Sequence, residues 1–416
     1  MAAIIDYRGK TPRKTTTGVP LITAKIVKGG RIASPDEFVD PAEYDDWMRR
    51  GLPQVGDVVL TTEAPLGEVA QLQVARVALA QRLILLRGKP GVLDNTYLKF
   101  VMMSANVQSQ LQGRASGTTV LGIKQSELRK IVLSLPPVEE QHAIAGVLGA
   151  LDDKIEQNLR TAQALEQLAR AIFRAWFVDF EPVKAKAVGA TAFPSMPQPV
   201  FDALPTRFVD SAIGPVPAGW EVKALSSICT LVGGGTPKRS EAAYWDGDVP
   251  WYSVKDAPSD GELWVIGTSE RISADGLADS AARMVPKGST IISARGTVGK
   301  LAMAGVPMAF NQSCYGLLPG DGKSFGYLHL LMQSVVADLQ QRVHGSVFDT
   351  ITRATFDGLP VISPDGEVMS TFESIVAPLL SLLLASAEES SKLAAIRDYL
   401  LPKLLSGDLQ VEATHG

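Results

Sequence analysis

The chain has 416 residues with 40 basic and 44 acidic side chains, so its formal net charge is −4. This length predicts two or three domains, and this charge excludes a uniformly basic protein that coats nucleic acid. Apolar residues make up 46% and charged residues 20% of the chain, which argues against disorder. Two cysteines cannot form a disulfide framework, and no Cys/His pair has the spacing of zinc ligands.

The N-terminal residues lack the long apolar run of a signal peptide. The most apolar stretch, Ile375 to Ala387, is too short to cross a bilayer and contains Pro378. We therefore expect a cytoplasmic protein without a membrane segment.

The first predicted elements are short strands bounded by turn residues, such as Asp57–Leu60 and Arg82–Leu86. A long helix is predicted from Val138 to about Phe180, because Pro136-Pro137 precedes it and Glu139-Glu140 suits its first turn. Its apolar residues recur at spacings of 3, 4 and 7, which is typical of one helical face with coiled-coil character.

The segment from Lys184 to Pro217 is rich in Ala, Pro and Ser and is predicted to be a linker. Further strands are predicted at Thr290–Ser293 and Ser313–Leu318. A second long helix follows from about Glu367 to Leu405, with Pro378 predicting a kink or a late start. Each helix would be roughly 60 Å long, and the two apolar faces would most simply pack on each other.

The same order of motifs occurs twice. Thr11-Pro12 and its basic neighbours return as Thr236-Pro237-Lys238-Arg239, and Tyr97-Leu98 returns as Tyr327-Leu328. The identities are few, but their order is preserved over the whole length, which indicates an internal repeat. The predicted boundaries are a first domain at 1–137, a long helix at 138–182, a linker at 183–217, a second domain at 218–365 and a second long helix at 366–408.

No catalytic signature survives inspection. Gly316 to Gly322-Lys323-Ser324 has five intervening residues instead of the four of a phosphate-binding loop, and is interpreted as a turn. Gly233-Gly234-Gly235 follows no dinucleotide-binding pattern and is interpreted as a flexible turn. We therefore predict no catalytic residues, no cofactor and no metal in this chain.

Local charge does suggest a function. From Met1 to Ser34 there are seven basic residues and one acidic residue, and from Pro35 to Glu63 eight acidic and two basic residues. Such segregation is typical of one surface that meets phosphate and another that avoids it. The alternative interpretation is an ordinary solvated charge run.

Polar loops also recur. The segment Gln112–Thr119 corresponds to Gln341–Val347, Ala294-Arg295-Gly296-Thr297 forms the predicted tip of a strand pair, and Asn311-Gln312 could contact adenine. Plain turns and turn caps are the alternatives for all three. The predicted nucleic-acid contacts are Arg8, Lys10, Thr11, Arg13, Lys14, Arg114, Ser116, Thr118, Thr236, Lys238, Arg239, Arg295, Thr297, Asn311, Gln312, Arg342, His344 and Ser346.

With these features together, the sequence resembles the specificity subunit of a type I restriction-modification system. The resemblance rests on the repeat of globular unit and long helix, and on three motifs, which are the segments 117–141, 171–182 and 396–407. It implies an α+β fold, with two mixed α/β globular target-recognition domains joined by two long antiparallel coiled-coil helices in a pseudo-twofold repeat.

The resemblance also implies a function. Each domain would bind one half of a split DNA site, and the helices would set the gap and dock two methyltransferase subunits. S-adenosylmethionine would bind to those subunits, and motor-nuclease subunits that use ATP and Mg would join them, so the chain alone would not be an enzyme. Alternatives are the DNA-recognition component of another methylation or phage-defence system, or a structural coiled-coil adaptor.

The repeat departs from symmetry in two places. Gly219-Trp220-Glu221-Val222 opens the second repeat, but its counterpart would fall before Met1. The first domain is therefore expected to lack that strand and the helix after it; the alternatives are a misassigned or truncated start, or another segment that substitutes. Met369 stands where the first helix has Gln141, which weakens the helix-start motif there.

Overall fold

The computed structural model describes residues 1–7, 12–117, 120–258, 261–320, 322–344, 350–364 and 366–411; the side chains of residues 338 and 341–344 also lie outside the description. The chain divides into two compact units. Unit 1 comprises Met1–Ile155 and Lys392–Gly416, and unit 2 comprises Glu156–Ser391. Each unit therefore contains a globular part and a portion of both long helices.

Unit 1 is built on two small sheets. The first is a four-stranded antiparallel sheet, in the order Ala3–Asp6, Leu83–Arg87, Val58–Thr62 and Leu66–Gln71. The second has the order Lys14–Thr15, Phe38–Val39, Val19–Ile22 and Ala78–Leu79, the last pair being parallel. A short ribbon and the helices complete the unit: Val27–Lys28, Arg31–Ile32, Ala24–Ile26, Tyr44–Trp47, Asn95–Met103, Ala105–Gly113, Gln125–Leu128 and the start of Val138–Phe177.

Unit 2 repeats this plan. Its main sheet has the order Cys229–Gly233, Cys314–Pro319, Thr290–Ser293, Leu301–Ala304 and Trp264–Val265. Its second sheet has the order Glu270–Ile272, Trp245–Tyr252 and Ala309–Phe310. The helices are Glu181–Ala187, Gln198–Ala203, Leu225–Ile228, Ala242–Tyr244, Val254–Asp256, Ala274–Ala278, Phe325–His344, Arg353–Asp357 and most of Gly366–Ser406.

Corresponding strands confirm the internal repeat. In unit 1 the strand Ala3–Asp6 pairs with Leu83–Arg87, and in unit 2 the strand Cys229–Gly233 pairs with Cys314–Pro319 in the same antiparallel sense. In both units the second sheet contains one parallel strand pair. Val19–Ile22 pairs with Ala78–Leu79 in unit 1, and Trp245–Tyr252 pairs with Ala309–Phe310 in unit 2. The four predicted strands occur within two residues of their predicted bounds. Three of them are apolar runs buried along nearly their whole length, and Cys314–Pro319 is only partly buried.

The two long helices run antiparallel, as expected. In unit 2, Asn158 donates a hydrogen bond of 2.7 Å to Glu389, and the rings of Trp176 and Phe372 lie 5.9 Å apart. The residue numbers in contact therefore rise along the first helix as they fall along the second, so the two helices run in opposite directions. In unit 1 the two helices are also in contact, since Asp152 pairs with Arg397 at 2.7 Å.

Glutamine fixes the start of the first long helix. The buried Gln141 amide donates to the carbonyls of Val92 and Pro136 at 3.0 and 2.9 Å and accepts from the Asp94 amide at 3.0 Å. Met369, at the matching position of the second helix, is buried without such groups. A polar anchor in one helix is therefore replaced by apolar packing in the other.

The second long helix is continuous from Gly366 to Ser406, so the late start considered at Pro378 is wrong. By length and composition it could cross a membrane, since its most apolar 18-residue window has a mean hydropathy of 1.8. The expectation that the apolar stretch around Ile375 is too short to cross a bilayer is therefore wrong. Phe372, Val376 and Leu383 of this helix are buried in the core of unit 2, whereas Leu382 is 50% exposed and 39% of the apolar window is buried.

The predicted linker is folded. Residues 183–217 contain two short helices and a two-stranded ribbon, Phe208–Val209 with Val216–Pro217. Val200, Phe201 and Leu204 from this segment are buried in the core of unit 2. Its Pro and Ala residues had indicated an extended connection, but its apolar residues pack instead.

Unit 2 has one strand pair that the described part of unit 1 lacks. Glu221–Ala224 pairs with Pro360–Ser363, directly before the helix Leu225–Ile228. The matching segment of unit 1, residues 131–135, contains no strand, and Val132 in it is 73% exposed. The asymmetry expected from the sequence is thus present among the described residues.

Candidate nucleic-acid interface

Two lysines of the basic segment of unit 1 pair with carboxylates of the acidic segment. Lys14 Nζ lies 2.8 Å from Glu37 and Lys25 Nζ lies 2.6 Å from Asp36. The pairing of Lys14–Thr15 with Phe38–Val39 brings the two segments together. The interpretation that charge segregation along the chain marks two different surfaces is therefore wrong for these residues.

The other predicted contacts in unit 1 are dispersed or undescribed. Arg13 is exposed, and Arg114 ends the helix Ala105–Gly113 with its guanidinium 3.9 Å from Glu127. Ser116 forms an antiparallel bridge with Gly122. The predicted contacts outside the described residues are Arg8, Lys10, Thr11 and Thr118.

In unit 2 three predicted loops meet. We define the loop cluster as Gly235–Arg239, Ala294–Thr297 and Asn311–Ser313. The Gly235 amide donates to Phe310 at 2.9 Å, and the Ala294 amide donates to Ser313 at 2.7 Å. Backbone hydrogen bonds thus join the loops into one edge of the unit.

The glycines at the start of this cluster are required because other backbone atoms approach them closely. A Cβ at Gly234 would lie 2.0 Å from the Asn311 carbonyl oxygen, and one at Gly235 would lie 2.2 Å from Ala281. The interpretation of this segment as a flexible turn is therefore wrong. Gly233 ends a strand, and its two neighbours let backbones pack where no side chain fits.

Some side chains of the loop cluster form hydrogen bonds within the protein, and others are exposed to solvent. The Thr236 hydroxyl donates to the Gln312 side-chain oxygen, so two predicted contacts meet. Asn311 Oδ1 accepts from the Ser313 amide at 3.0 Å, which is the turn cap considered as its alternative. Arg295 and Thr297 are exposed on the loop between Thr290–Ser293 and Leu301–Ala304, as predicted.

Arg239 contacts two tryptophan rings and one carboxylate. Its guanidinium carbon lies 3.8 Å from the ring centre of Trp245 and 5.1 Å from that of Trp251. Glu270 accepts from both Nη1 and Nη2, the second at 3.1 Å, and this pairing lowers the pKa of the Glu270 carboxyl. The neighbouring Lys238 is exposed and lies 3.2 Å from Glu241.

Three residues of this environment were missed from the sequence: Trp245, Trp251 and Glu270. The register of Trp245–Tyr252 against Glu270–Ile272 places Trp251 opposite Glu270. Trp245 lies on the far side of an irregular register, next to Asp246 with a positive φ of 59°. Spacing alone could not show this, although two tryptophans close together after a basic loop were a usable signal.

The second predicted polar loop begins as a helix. Arg342 and His344 lie in the last turn of Phe325–His344, and Gln112 and Gly113 likewise end the helix Ala105–Gly113. The prediction of a loop at these positions is wrong because each helix extends further than its Gly and Ser neighbours suggested. Ser346 lies outside the described residues.

The described residues contain no group of three or more His, Cys, Asp or Glu side chains that could hold a metal ion. The loop cluster instead offers a guanidinium, hydroxyls, amides and exposed cations. Such groups suit hydrogen bonding to phosphates and base edges.

Comparison with known proteins gives one consistent family. The model of the type I restriction modification DNA specificity domain matches residues 18–167 and again 217–374. Together the two matches cover well over half of the chain. The chain therefore belongs to the family of type I restriction-modification DNA specificity proteins, and the resemblance stated above is confirmed.

Individual relatives agree with this assignment. The chain is 30% identical over 317 residues to the type I restriction enzyme HindI specificity subunit of Haemophilus influenzae, covering 67% of this chain and 69% of that protein. It is 27% identical over 366 residues to the MjaIX specificity subunit of Methanocaldococcus jannaschii, covering 86% and 78%. The type I system S subunit of M. genitalium has the same fold, with a TM-score of 0.55 at 16% identity over 95% of this chain and 92% of that one.

Proposed function

We propose that this chain binds the two halves of a split double-stranded DNA site, one with each unit, as the specificity subunit of a type I restriction-modification complex. The observation that carries the proposal is the double match to a DNA specificity domain, together with four corresponding strands in the same order in the main sheets of both units. Two similar recognition units suit two half-sites about one helical turn apart. In unit 2 the loop cluster is the proposed contact surface.

The chemistry would then belong to partners. Two methyltransferase subunits would bind S-adenosylmethionine and modify adenine, and motor-nuclease subunits would use ATP and Mg. This chain would hold no cofactor and would select the DNA on which the cytoplasmic complex acts. The long antiparallel helices would set the distance between the half-sites.

The long helices also suggest where the methyltransferase subunits dock. Leu168 on the first helix is 48% exposed, and Ile396 on the second is 47% exposed. The two residues are 228 positions apart, which matches the spacing of the repeat. Two exposed apolar residues at matching positions of the repeat suit two copies of one partner.

The central test is methylation mapping. The chain is expressed with its methyltransferase partner in a host without other adenine methylation, and modified sites are mapped across the genome. A bipartite motif with a fixed gap is expected. Binding of that sequence by the purified complex should weaken steeply with salt, because phosphate contacts release counterions. A single continuous motif, or no methylation at all, would overturn the proposal.

The docking surface has its own test. Leu168→Glu and Ile396→Glu should each remove one methyltransferase subunit from the complex, as measured by mass in solution, because a charge replaces an apolar contact. Gln167→Glu and Ala395→Glu are the matched controls, since they lie on exposed neighbouring positions 228 apart. An unchanged stoichiometry in the first pair would exclude this surface.

A further inference from the structure

Arg239 is held in one plane before any ligand arrives. Its guanidinium stacks over Trp245, and Trp251 stands at 86° to that ring with 5.3 Å between the two ring centres. Both indoles also fix the backbone that carries Arg239, since Trp251 Nε1 donates to Gly235 at 2.9 Å and Trp245 Nε1 donates to Lys238 at 3.3 Å. An arginine in this setting loses little conformational freedom on binding.

Glu270 holds the guanidinium at one end. It accepts from Nη1 and Nη2, so the carboxylate lies across the tip of the fork. Among the described residues, the Nε–H has no acceptor, and the Arg239 side chain is 55% exposed. The side edge formed by Nε and Nη2 therefore remains able to donate two parallel hydrogen bonds.

The ion pair determines which ligand this edge suits. Glu270 cancels most of the charge of Arg239, so the long-range attraction for a phosphate is weak. Directional hydrogen bonding remains, because the N–H groups of the side edge keep their geometry. A guanine presents two acceptors, O6 and N7, on its major-groove edge, and arginine binds them bidentately.

We propose that Arg239 recognises a guanine in the half-site bound by unit 2, with Trp245 and Glu270 as its positioning residues. The inference rests on the proposed function and adds the base and the residue that contacts it. In unit 1 the matching cation is Lys14, paired with Glu37 at 2.8 Å. An ammonium has no planar fork, so this bidentate contact is specific to unit 2.

The experiment compares methylation motifs of four proteins expressed with the methyltransferase partner. Wild type is compared with Arg239→Lys, which keeps the charge and loses the fork, and with Glu270→Gln, which keeps the shape and loses the restraint. Arg283→Lys is the control, because Arg283 is an exposed arginine of the same unit that donates only to nearby carbonyl groups. The salt dependence of DNA binding is measured for each.

The wild-type motif should contain a G·C pair at which Arg239→Lys loses a preference of about tenfold or more, while the other half of the motif stays unchanged. Glu270→Gln should weaken the same preference, and Arg283→Lys should leave the motif intact. The other half-site thus reports that the variant is folded.

Three results would overturn the inference while leaving the proposed function in place. The first is a bipartite motif without any G·C pair in its specific positions. The second is a motif that Arg239→Lys and Glu270→Gln leave unchanged. The third is read from a fifth protein, Arg239→Ala, whose DNA binding is measured at several salt concentrations: a uniform loss of affinity with a salt slope reduced by about one would identify a phosphate contact. Absence of any bipartite motif in wild type would instead fail the proposed function.

Discussion

The two units hold the same helix pair by different chemistry. In unit 1, Asp152 lies between Lys99 and Arg397, and all three side chains are at most 11% exposed. The repeat places Leu380 and Ala169 of unit 2 at the positions of Asp152 and Arg397, and both are buried. Unit 2 instead packs the rings of Phe173, Phe177, Tyr327 and Phe372 at centre distances of 4.9 to 6.3 Å.

This difference between the units shows that the two long helices can be held in contact either by buried ion pairs or by packed aromatic rings. Aromatic burial stabilises over a broad range of small shifts, because dispersion and the hydrophobic effect have little directionality. A buried carboxylate shared by two cations is tolerated only at one axial position, because an unpaired buried charge is costly. We therefore infer that the charged cluster of unit 1 defines helix register more sharply than the aromatic cluster of unit 2.

The largest effect is expected from Asp152→Ala. Within the described residues, Lys99 would keep no carboxylate partner, and Arg397 would retain only Asp398, which is 64% exposed. We expect a loss of about 3–5 kcal/mol in the free energy of unfolding of unit 1, measured by chemical denaturation. Asp153→Ala, at the exposed next position, is the control and should change stability by about 0.5 kcal/mol or less. Equal effects of the two variants would show that the cluster does not stabilise unit 1.

Replacing the whole cluster should cost far less than breaking it. The triple variant Lys99→Met, Asp152→Leu and Arg397→Met gives unit 1 the apolar character of unit 2. It should be neutral or more stable by about 1–4 kcal/mol, because no charge remains to be desolvated. If this variant is as unstable as Asp152→Ala, the ion pairs contribute net stability and the two units are not interchangeable in this respect.

A smaller effect concerns acid stability. His329 follows Tyr327-Leu328 as Lys99 follows Tyr97-Leu98, and burial lowers the pKa of His329 to about 3. The unfolded chain binds a proton near pH 6.5, so this group makes unit 2 less stable as the pH falls from about 6.5 towards 3, by about 1 kcal/mol per unit. His329→Leu should reduce this slope in a pH series of unfolding curves. The control His142→Gln, at a 63% exposed position, should retain it.

The smallest effect is expected at the surface. Lys14 is 47% exposed and Glu37 is 25% exposed, so Lys14→Met should change stability by only about 0.2–1 kcal/mol. The measurement is thermal unfolding, with Lys25→Met, from another exposed pair of unit 1, as the matched comparison. A loss above 2 kcal/mol would mean that Lys14 supports the fold of unit 1, as Asp152 is expected to do.

Much of the fold could be predicted from local patterns. The strands Val58–Thr62 and Thr290–Ser293 are continuous apolar runs, and the helix at Val138 has Pro before it and Glu in its first turn. The folded segment at 183–217 was missed because Pro and Ala suggest a linker, whereas its stability depends on a core that other residues supply. Propensity is a weak guide where tertiary packing decides.

The candidate site was predicted only in part. The repeat identified Thr236, Lys238 and Arg239 as a group, and the first two are exposed or meet another predicted residue, Gln312. The pairing of Arg239 with Glu270 depends on strand register over 31 residues, which no local pattern encodes. The same holds for Lys14 and Glu37, where register converted two separate charge blocks into one neutralised pair.

By itself the sequence determined the repeat, four strands and two long helices at corresponding places in the two halves, and the net charge that excludes a uniformly basic binder. These follow from periodicity and composition, which are local or additive properties. Tertiary structure alone decided which charges pair and which neighbours restrain Arg239. It also decided that unit 1 buries an ionic cluster between its helices, whereas unit 2 buries aromatic rings. Those outcomes depend on register and burial, because the energy of a charge or a ring is set by neighbours that lie far away in the chain.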